Sequence, residues 1–175
     1  MKEIKEYDKN GNLIHSKLDS YEYWQEFDKN NNLIHHKENG FEYWQEFDKN
    51  NNLIHFKNTD DYEKWYEYNS NNCLVYTKTI DNEEVDEKKY DSNGNLIYHK
   101  DCYEEELWEY NNNNKCIRYK NSNGKEQWWE YDQNDKLIHY KKSNEKEQWW
   151  EYDQNDKLIH YKEETKYKIR EDWYK

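Results

Sequence analysis

The chain contains no proline and no alanine, one methionine, three cysteines and four glycines in 175 residues. Each shortage narrows what the protein can be. Without alanine, and with 25 asparagines, it is poor in helix formers and rich in turn chemistry, so an all-β fold is expected. Cys73, Cys102 and Cys116 are odd in number and lack C-x-x-C spacing, which argues for three reduced, partly buried thiols and against a disulfide framework or zinc knuckle. Apolar runs end after three or four residues, too short to cross a bilayer. The opening MKEIKEYDKNGN has no apolar leader segment, so a cytoplasmic location and no membrane contact are expected.

Basic residues are also outnumbered, 27 Lys and Arg against 39 Asp and Glu, for a net charge of -12. That balance repels phosphate, so direct nucleic-acid binding is not expected. With only 33% hydrophobic residues the composition alone points toward disorder. Opposing it are nine Trp and nineteen Tyr, whose rings bury large areas and favour strands. A folded protein with a thin aromatic core is expected.

Sequence self-similarity supplies the organisation. The string EQWWEYDQNDKLIHYK occurs at 126–141 and again at 147–162. Aligning on the aromatic residue of an E-[YF]-D triplet finds eight units, at Tyr7, Phe27, Phe47, Tyr68, Tyr90, Tyr110, Tyr131 and Tyr152, spaced by 20 to 22 residues. Three residues after each aromatic stands an Asn, and then Gly11, Asn31, Asn51, Asn72, Gly94, Asn114, Asp135 or Asp156. These types tolerate positive φ, and the pattern predicts a three-residue hairpin loop, a type I turn closed by a left-handed residue. The aromatic then lies opposite a Leu in seven units and Cys116 in the other.

Simple alternation divides each hairpin into two faces. One is expected to carry the triplet aromatic, the Leu, the residue after the Ile (often His) and a Lys found in every unit. The other carries Ile or Val and a Trp in five units, flanked by glutamates. Short links imply a meander of sixteen strands, which would span on the order of 75 Å at ~4.8 Å per strand and coil through its twist. The chain reads as a single repeat domain over 1–175: regular repeats over 1–78, an irregular middle over 79–120, regular repeats over 121–162 and a C-terminal cap over 163–175. In the middle, Glu87 and Leu107 replace the Trp, fitting a bend in the sheet or, less well, a surface shaped for a partner.

The core E-Y-D-x-N-G-N-L-I, seen again in WYEYNSNNCL (65–74) and WEYDQNDKL (129–137), resembles the YD repeat of Rhs-type proteins, roughly Y-x-Y-D-x-x-G-x-L. The resemblance covers nearly the whole chain and implies coiled sheets of successive hairpins. Rhs-type proteins carry many tens of units around a toxin, whereas eight units cannot enclose folded cargo. A fainter similarity is to YwqK-like antitoxin repeats. The segment NGKEQWWEYDQNDKL also looks like choline- or glucan-binding surface repeats, although Met1 is the sole methionine and those repeats use such a residue to close an aromatic box.

No enzyme chemistry is expected. The column His15, His35, His55, His139 and His160 places equivalent rings two strands apart, roughly 10 Å, too far to share a metal bound at ~2 Å. The glutamates recur in every hairpin, as a surface pattern does, and neither a phosphate-cradling glycine loop nor a nucleophile motif is present. No cofactor and no metal is expected. The remaining feature is an acidic strip interleaved with Trp: Trp24, Glu26, Trp44, Glu46, Trp65, Glu67, Trp128, Glu130, Trp149 and Glu151. Such a strip would steer toward a basic protein surface and anchor there through its indoles. The function expected is a non-catalytic inhibitor of an intracellular, nucleic-acid-processing bacterial protein, of the anti-CRISPR or nuclease-toxin immunity type, working as a monomer or edge-paired dimer. The alternatives are a surface carbohydrate- or choline-binding module and a structural YD-repeat scaffold.

Overall fold

A computed structural model describes residues 3–143 and 146–175. The chain divides into two compact units, residues 1–94 and 95–175. The first holds β1 (Ile4–Tyr7), β2 (Leu13–Leu18), β3 (Tyr21–Phe27), β4 (Leu33–Glu38), β5 (Phe41–Phe47), β6 (Leu53–Asn58), β7 (Tyr62–Tyr68), β8 (Leu74–Asp81) and β9 (Glu84–Tyr90). The second holds β10 (Leu96–Lys100), β11 (Glu105–Tyr110), β12 (Cys116–Asn121), β13 (Glu126–Tyr131), β14 (Leu137–Lys142), β15 (Lys146–Tyr152), β16 (Leu158–Thr165) and β17 (Ile169–Trp173). Within each unit, consecutive strands pair antiparallel. The fold is the all-β hairpin meander expected. The tail adds a seventeenth strand to the sixteen counted from the repeats.

The turns form as their residues dictate. In the first, Gly11 N–H donates to Asp8 O at 3.1 Å and Asp8 N–H to Asn12 O at 2.9 Å, enclosing three residues. The Asp8 carboxylate accepts from the backbone of Asn10 and Asn12 at 2.8 and 2.9 Å, and Asp28, Asp48, Asn69, Asn111, Asp132 and Asp153 repeat both bonds. The residue predicted to be left-handed is so in all eight turns, with φ from 60° at Asn114 to 87° at Gly11. Tyr7 faces Leu13 across the hairpin, and Phe27, Phe47, Tyr68, Tyr131 and Tyr152 likewise face a Leu; Tyr110 faces Cys116.

Glycine would fit those left-handed positions with less strain, yet six of the eight are Asn or Asp. Contacts between turns account for the choice. Asn12 Nδ2 donates to Asn31 Oδ1, Asn32 Nδ2 to Asn51 Oδ1 at 3.1 Å and Asn52 Nδ2 to Asn72 Oδ1. In the second unit Asn95 Nδ2 donates to Asn114 Oδ1 at 2.9 Å, and Lys136 Nζ lies 2.7 Å from Asp156 Oδ1. Each left-handed side chain is thus a rung received from the preceding turn. Gly94 follows Cys73, which occupies the donor position without an amide.

Among the described residues no side chain is wholly withdrawn from water, and Tyr119, 8% exposed, is the only buried apolar one. A one-layer sheet leaves both faces wet, so stability is spread over cross-strand pairs worth roughly 0.2–1 kcal/mol each. β8 has eight residues where β2, β4 and β6 have six, and Tyr76 meets Lys89 where His15, in the same place in its strand, meets Trp24. The pairing has slipped by two residues. Cys73 and Cys102 are exposed and only Cys116 is half-buried, which corrects the expectation of three partly buried thiols; Cys73 and Cys102 lie beyond strand ends, where neighbouring side chains do not cover them.

Hydrogen bonds hold the carboxyls of Asp8, Asp28, Asp48 and Asp153 below the ordinary 3.8, chiefly from an Asn side amide at Asp8 and Asp48 and chiefly from the turn backbone at Asp28 and Asp153. A depressed folded value means that the contribution is complete above pH ~4 and is lost as pH falls through the depressed values. Replacing all four by Asn, the residue already used at Asn69 and Asn111, should flatten the fall in melting temperature between pH ~4 and ~2. Thermal melts across that range check it, and an unchanged acid limb would contradict the turn assignment.

Candidate functional site

The turn geometry also decides which residues share a face. Glu6 pairs with His15 while the adjacent Tyr7 pairs with Leu13, so Ile14 has no opposite number. The same bulge occurs at Ile34, Ile54, Val75, Ile117, Ile138 and Ile159. One extra residue reverses the alternation beyond it. The His and Lys columns expected beside the Tyr and Leu therefore lie with the Trp and Glu columns instead. A strict period of two through the turn does not hold, because the bulged residue shifts it by one, and the two-face assignment expected from sequence is corrected accordingly.

The result is a repeated cluster on the Trp face. In the first unit, His15 stacks on Trp24 with ring centroids 3.6 Å apart and planes 6° from parallel. Its Nε2 lies 2.9 Å from Glu22, and its Nδ1 faces Glu6 at 3.6 Å. His35 repeats this with Trp44 at 5.1 Å, Glu42 at 3.2 Å and Glu26 at 3.5 Å. His55 does so with Trp65 at 5.2 Å, Glu63 at 2.8 Å and Glu46 at 3.3 Å. In the second unit His139 stacks on Trp149 at 5.3 Å between Glu147 and Glu130, and His160 on Trp173 at 3.8 Å between Glu171 and Glu151. Arg118 takes the histidine's place opposite Trp128, reaching Glu126 at 2.6 Å and Glu109 at 2.9 Å.

Two glutamate columns thus differ in character. The inner one, on the strand that follows the histidine, is matched by cations: Lys17 first and His15 second draw the Glu22 carboxyl below its usual range, and Lys37 and then His35 do the same for Glu42. The outer one, beside the turns, meets an imidazole at Glu6, Glu26, Glu46, Glu130 and Glu151 and the Arg118 guanidinium at Glu109. Glu26, Glu46, Glu130 and Glu151 of that column keep side chains 60–68% exposed. The acidic strip read from sequence is therefore one column wide.

The residues proposed from sequence fall together as their register requires. Trp24 and Glu26 on β3, Trp44 and Glu46 on β5, and Trp65 and Glu67 on β7 share one face of the first unit. Trp128 and Glu130 on β13 share a face of the second unit with Trp149 and Glu151 on β15. Trp24 and Trp44 are 45% and 39% exposed, whereas Trp65, Trp128 and Trp149 are half-buried. Lys78 over Trp65 at 5.9 Å and Lys162 over Trp149 at 4.7 Å cover two of those rings.

Sequence reasoning missed two features. Trp173 completes the last histidine cluster, and the spacing Glu171-x-Trp173, identical to Glu147-x-Trp149, was the available signal. The opposite faces also carry aromatic ladders. In the first unit His36 lies 6.0 Å from Tyr23 and 5.1 Å from Tyr43, which is 5.7 Å from Phe56. In the second, Trp108 meets Tyr119, Trp129 meets Tyr140 and Trp150 meets Tyr161 at 5.5–5.7 Å. Burial and a 2.6 Å bond to Glu106 push the Tyr119 phenol up to about 12.

The stack should contribute measurably to stability. In a double-mutant cycle on His15→Ala and Trp24→Ala, followed by urea unfolding, a coupling of about 1 kcal/mol is expected for the ring pair. Additivity within ~0.3 kcal/mol would mean that the two rings are neighbours without mutual stabilisation.

No protein-family model matches the chain, and no curated protein does. Among solved structures it is similar to a crystal structure of TcdB2–TccC3–Cdc42, with 13% identity, 94% of this chain and 11% of that chain covered, and a TM-score of 0.46. It is also similar to TcdB2–TccC3, with 13% identity, coverages of 92% and 11% and a TM-score of 0.44. A third similarity is to the Photorhabdus luminescens Tc holotoxin pore, with 12% identity, coverages of 98% and 12% and a TM-score of 0.46. The chain spans 11–12% of the length of the chains it matches in these structures.

Proposed function

We propose that the protein is a non-catalytic binding protein that seats a basic protein surface on its Trp face, the outer glutamates steering the approach and the exposed indoles anchoring it. The observation that carries this reading is the exposed pair Glu26 and Glu46, each facing an imidazole rather than a lysine, beside Trp24 and Trp44. An unmatched row of carboxylates raises the local concentration of a cationic partner, and indoles supply contact area at small entropic cost. The lysines now found on this face match the inner glutamates and leave the outer column as the recognition element. A partner that handles nucleic acid fits that chemistry, because its phosphate-binding surface is already basic; occupying that surface would inhibit it, in the manner of an anti-CRISPR or immunity protein. The motif E-Y-D-x-N-G-N-L-I supports reading the chain as a short relative of Rhs-type YD repeats.

Reversal of Glu26, Glu46, Glu130 and Glu151 to Lys tests the mechanism. Affinity capture from bacterial lysate, analysed by mass spectrometry, should recover basic nucleic-acid-binding proteins with the parent protein and lose them with the fourfold variant. Capture should also weaken as salt rises from about 50 to 500 mM, where screening shortens the reach of exposed charges. Circular dichroism confirms that the variant is folded. Undiminished capture by a folded variant would overturn the acidic-column mechanism, and retention on a glycan or choline resin would point to the attachment alternative.

A further inference from the structure

β17 pairs along one edge with β16, and among the described residues of its unit no other strand lies along the far edge. Four of its five residues are exposed, with Ile169 at 60% and Trp173 at 68%. Exposed edges attract other strands, and proteins commonly blunt them with charge. The charges here are of both signs and two residues apart, I-R-E-D-W, and that order has a particular property.

Tyr174 N–H donates to Ile159 O at 2.9 Å, and Lys168 O accepts from Thr165 N–H at 2.9 Å. Even-numbered residues therefore bond inward toward β16. Antiparallel alternation then turns the N–H and C=O of Ile169, Glu171 and Trp173 outward. A second copy of β17, antiparallel and centred on Glu171, satisfies all of these groups: Glu171 meets its counterpart, and Ile169 and Trp173 meet each other twice. In the same register Arg170 of each copy lies opposite Asp172 of the other, on the face away from Trp173. Centring on Arg170 or Asp172 also sets like charges opposite each other at the axis and no longer pairs Arg170 of one copy with Asp172 of the other.

We propose that β17 is a self-complementary edge through which two copies of this chain join into a two-fold symmetric dimer, Ile169 against Trp173 on one face and Arg170 against Asp172 on the other. Such an interface is isologous, each contact occurring twice. Arg170 Nε already lies 2.7 Å from Asp172 Oδ2 in its own strand, so the dimer assembles four alternating charges in one cluster. The central Glu171 pair is the one unfavourable contact, moderated by each carboxylate's 2.9 Å approach to its own His160. Five residues form a small interface, so the dimer is weak and exchanges freely.

Sedimentation velocity over a concentration series reaching about 1 mM, where weak association becomes populated, is the test. The parent protein should show a monomer–dimer equilibrium. Arg170→Asp should weaken it about tenfold or more, as both cross-strand ion pairs become repulsive. Asp172→Arg should do the same, and the double exchange Arg170→Asp with Asp172→Arg should restore association. Glu171→Gln should tighten it by removing the central repulsion. A protein monomeric throughout the series, or a dimer indifferent to Arg170→Asp, would overturn the proposal. Failure of the double exchange to rescue would do so as well, provided that near-ultraviolet circular dichroism shows the variant folded.

Discussion

The single unpaired residue after each hairpin turn is the constraint from which the rest of the sheet follows. A type I turn closed by a left-handed residue joins two strands with one residue too many on the returning strand, and Ile or Val absorbs the excess. Were Ile14 instead paired in the ladder, regular alternation would turn His15 to Tyr7's side of the sheet, away from Trp24. With Ile14 bulged out, the imidazole arrives over the indole and between two carboxylates. The stacked cluster, the lysine match of the inner glutamates and the isolation of the outer ones all depend on that one-residue offset.

A sheet one layer thick has no interior to fill, so its stability must come from contacts within each face and along the turns. The His and Trp rings supply a desolvated centre on one face, and the Tyr, Phe and second Trp columns do so on the other. Within each unit, hydrogen-bonded turns link neighbouring hairpins. Because each hairpin contacts chiefly its neighbours, cooperativity is expected to be that of a linear array, in which loss of one rung loosens the adjoining hairpins first.

Much of this was legible in the sequence. Asn10 and its counterparts, followed by a residue tolerant of positive φ, specified the turn, and the turn specified that Leu33 faces Phe27. The Trp and Glu columns were legible as well, since both lie on the strand before the turn. What lay beyond the turn was misplaced, because a period of two read straight through it assigns His35 and Lys37 to the wrong face. The strip consequently seemed broader and more acidic than it is. The place of Trp173 within the C-terminal cap escaped for a different reason: the cap lacks the E-[YF]-D triplet and matches the repeats only in Glu171-x-Trp173.

The turn ladder has an evolutionary side. Donor and acceptor of each rung sit in different repeats, so a repeat can be copied in tandem only if its donor suits its own acceptor. The segment around Asn31 and Asn32 satisfies this with amide against amide, and the segment around Asp135 and Lys136 satisfies it with carboxylate against ammonium. Both kinds occur as adjacent near-copies, YEYWQEFDKNNNLIH with FEYWQEFDKNNNLIH and the doubled EQWWEYDQNDKLIHYK. The chain thus contains two mutually distinct, self-compatible modules, each able to lengthen the protein by duplication without a compensating change elsewhere.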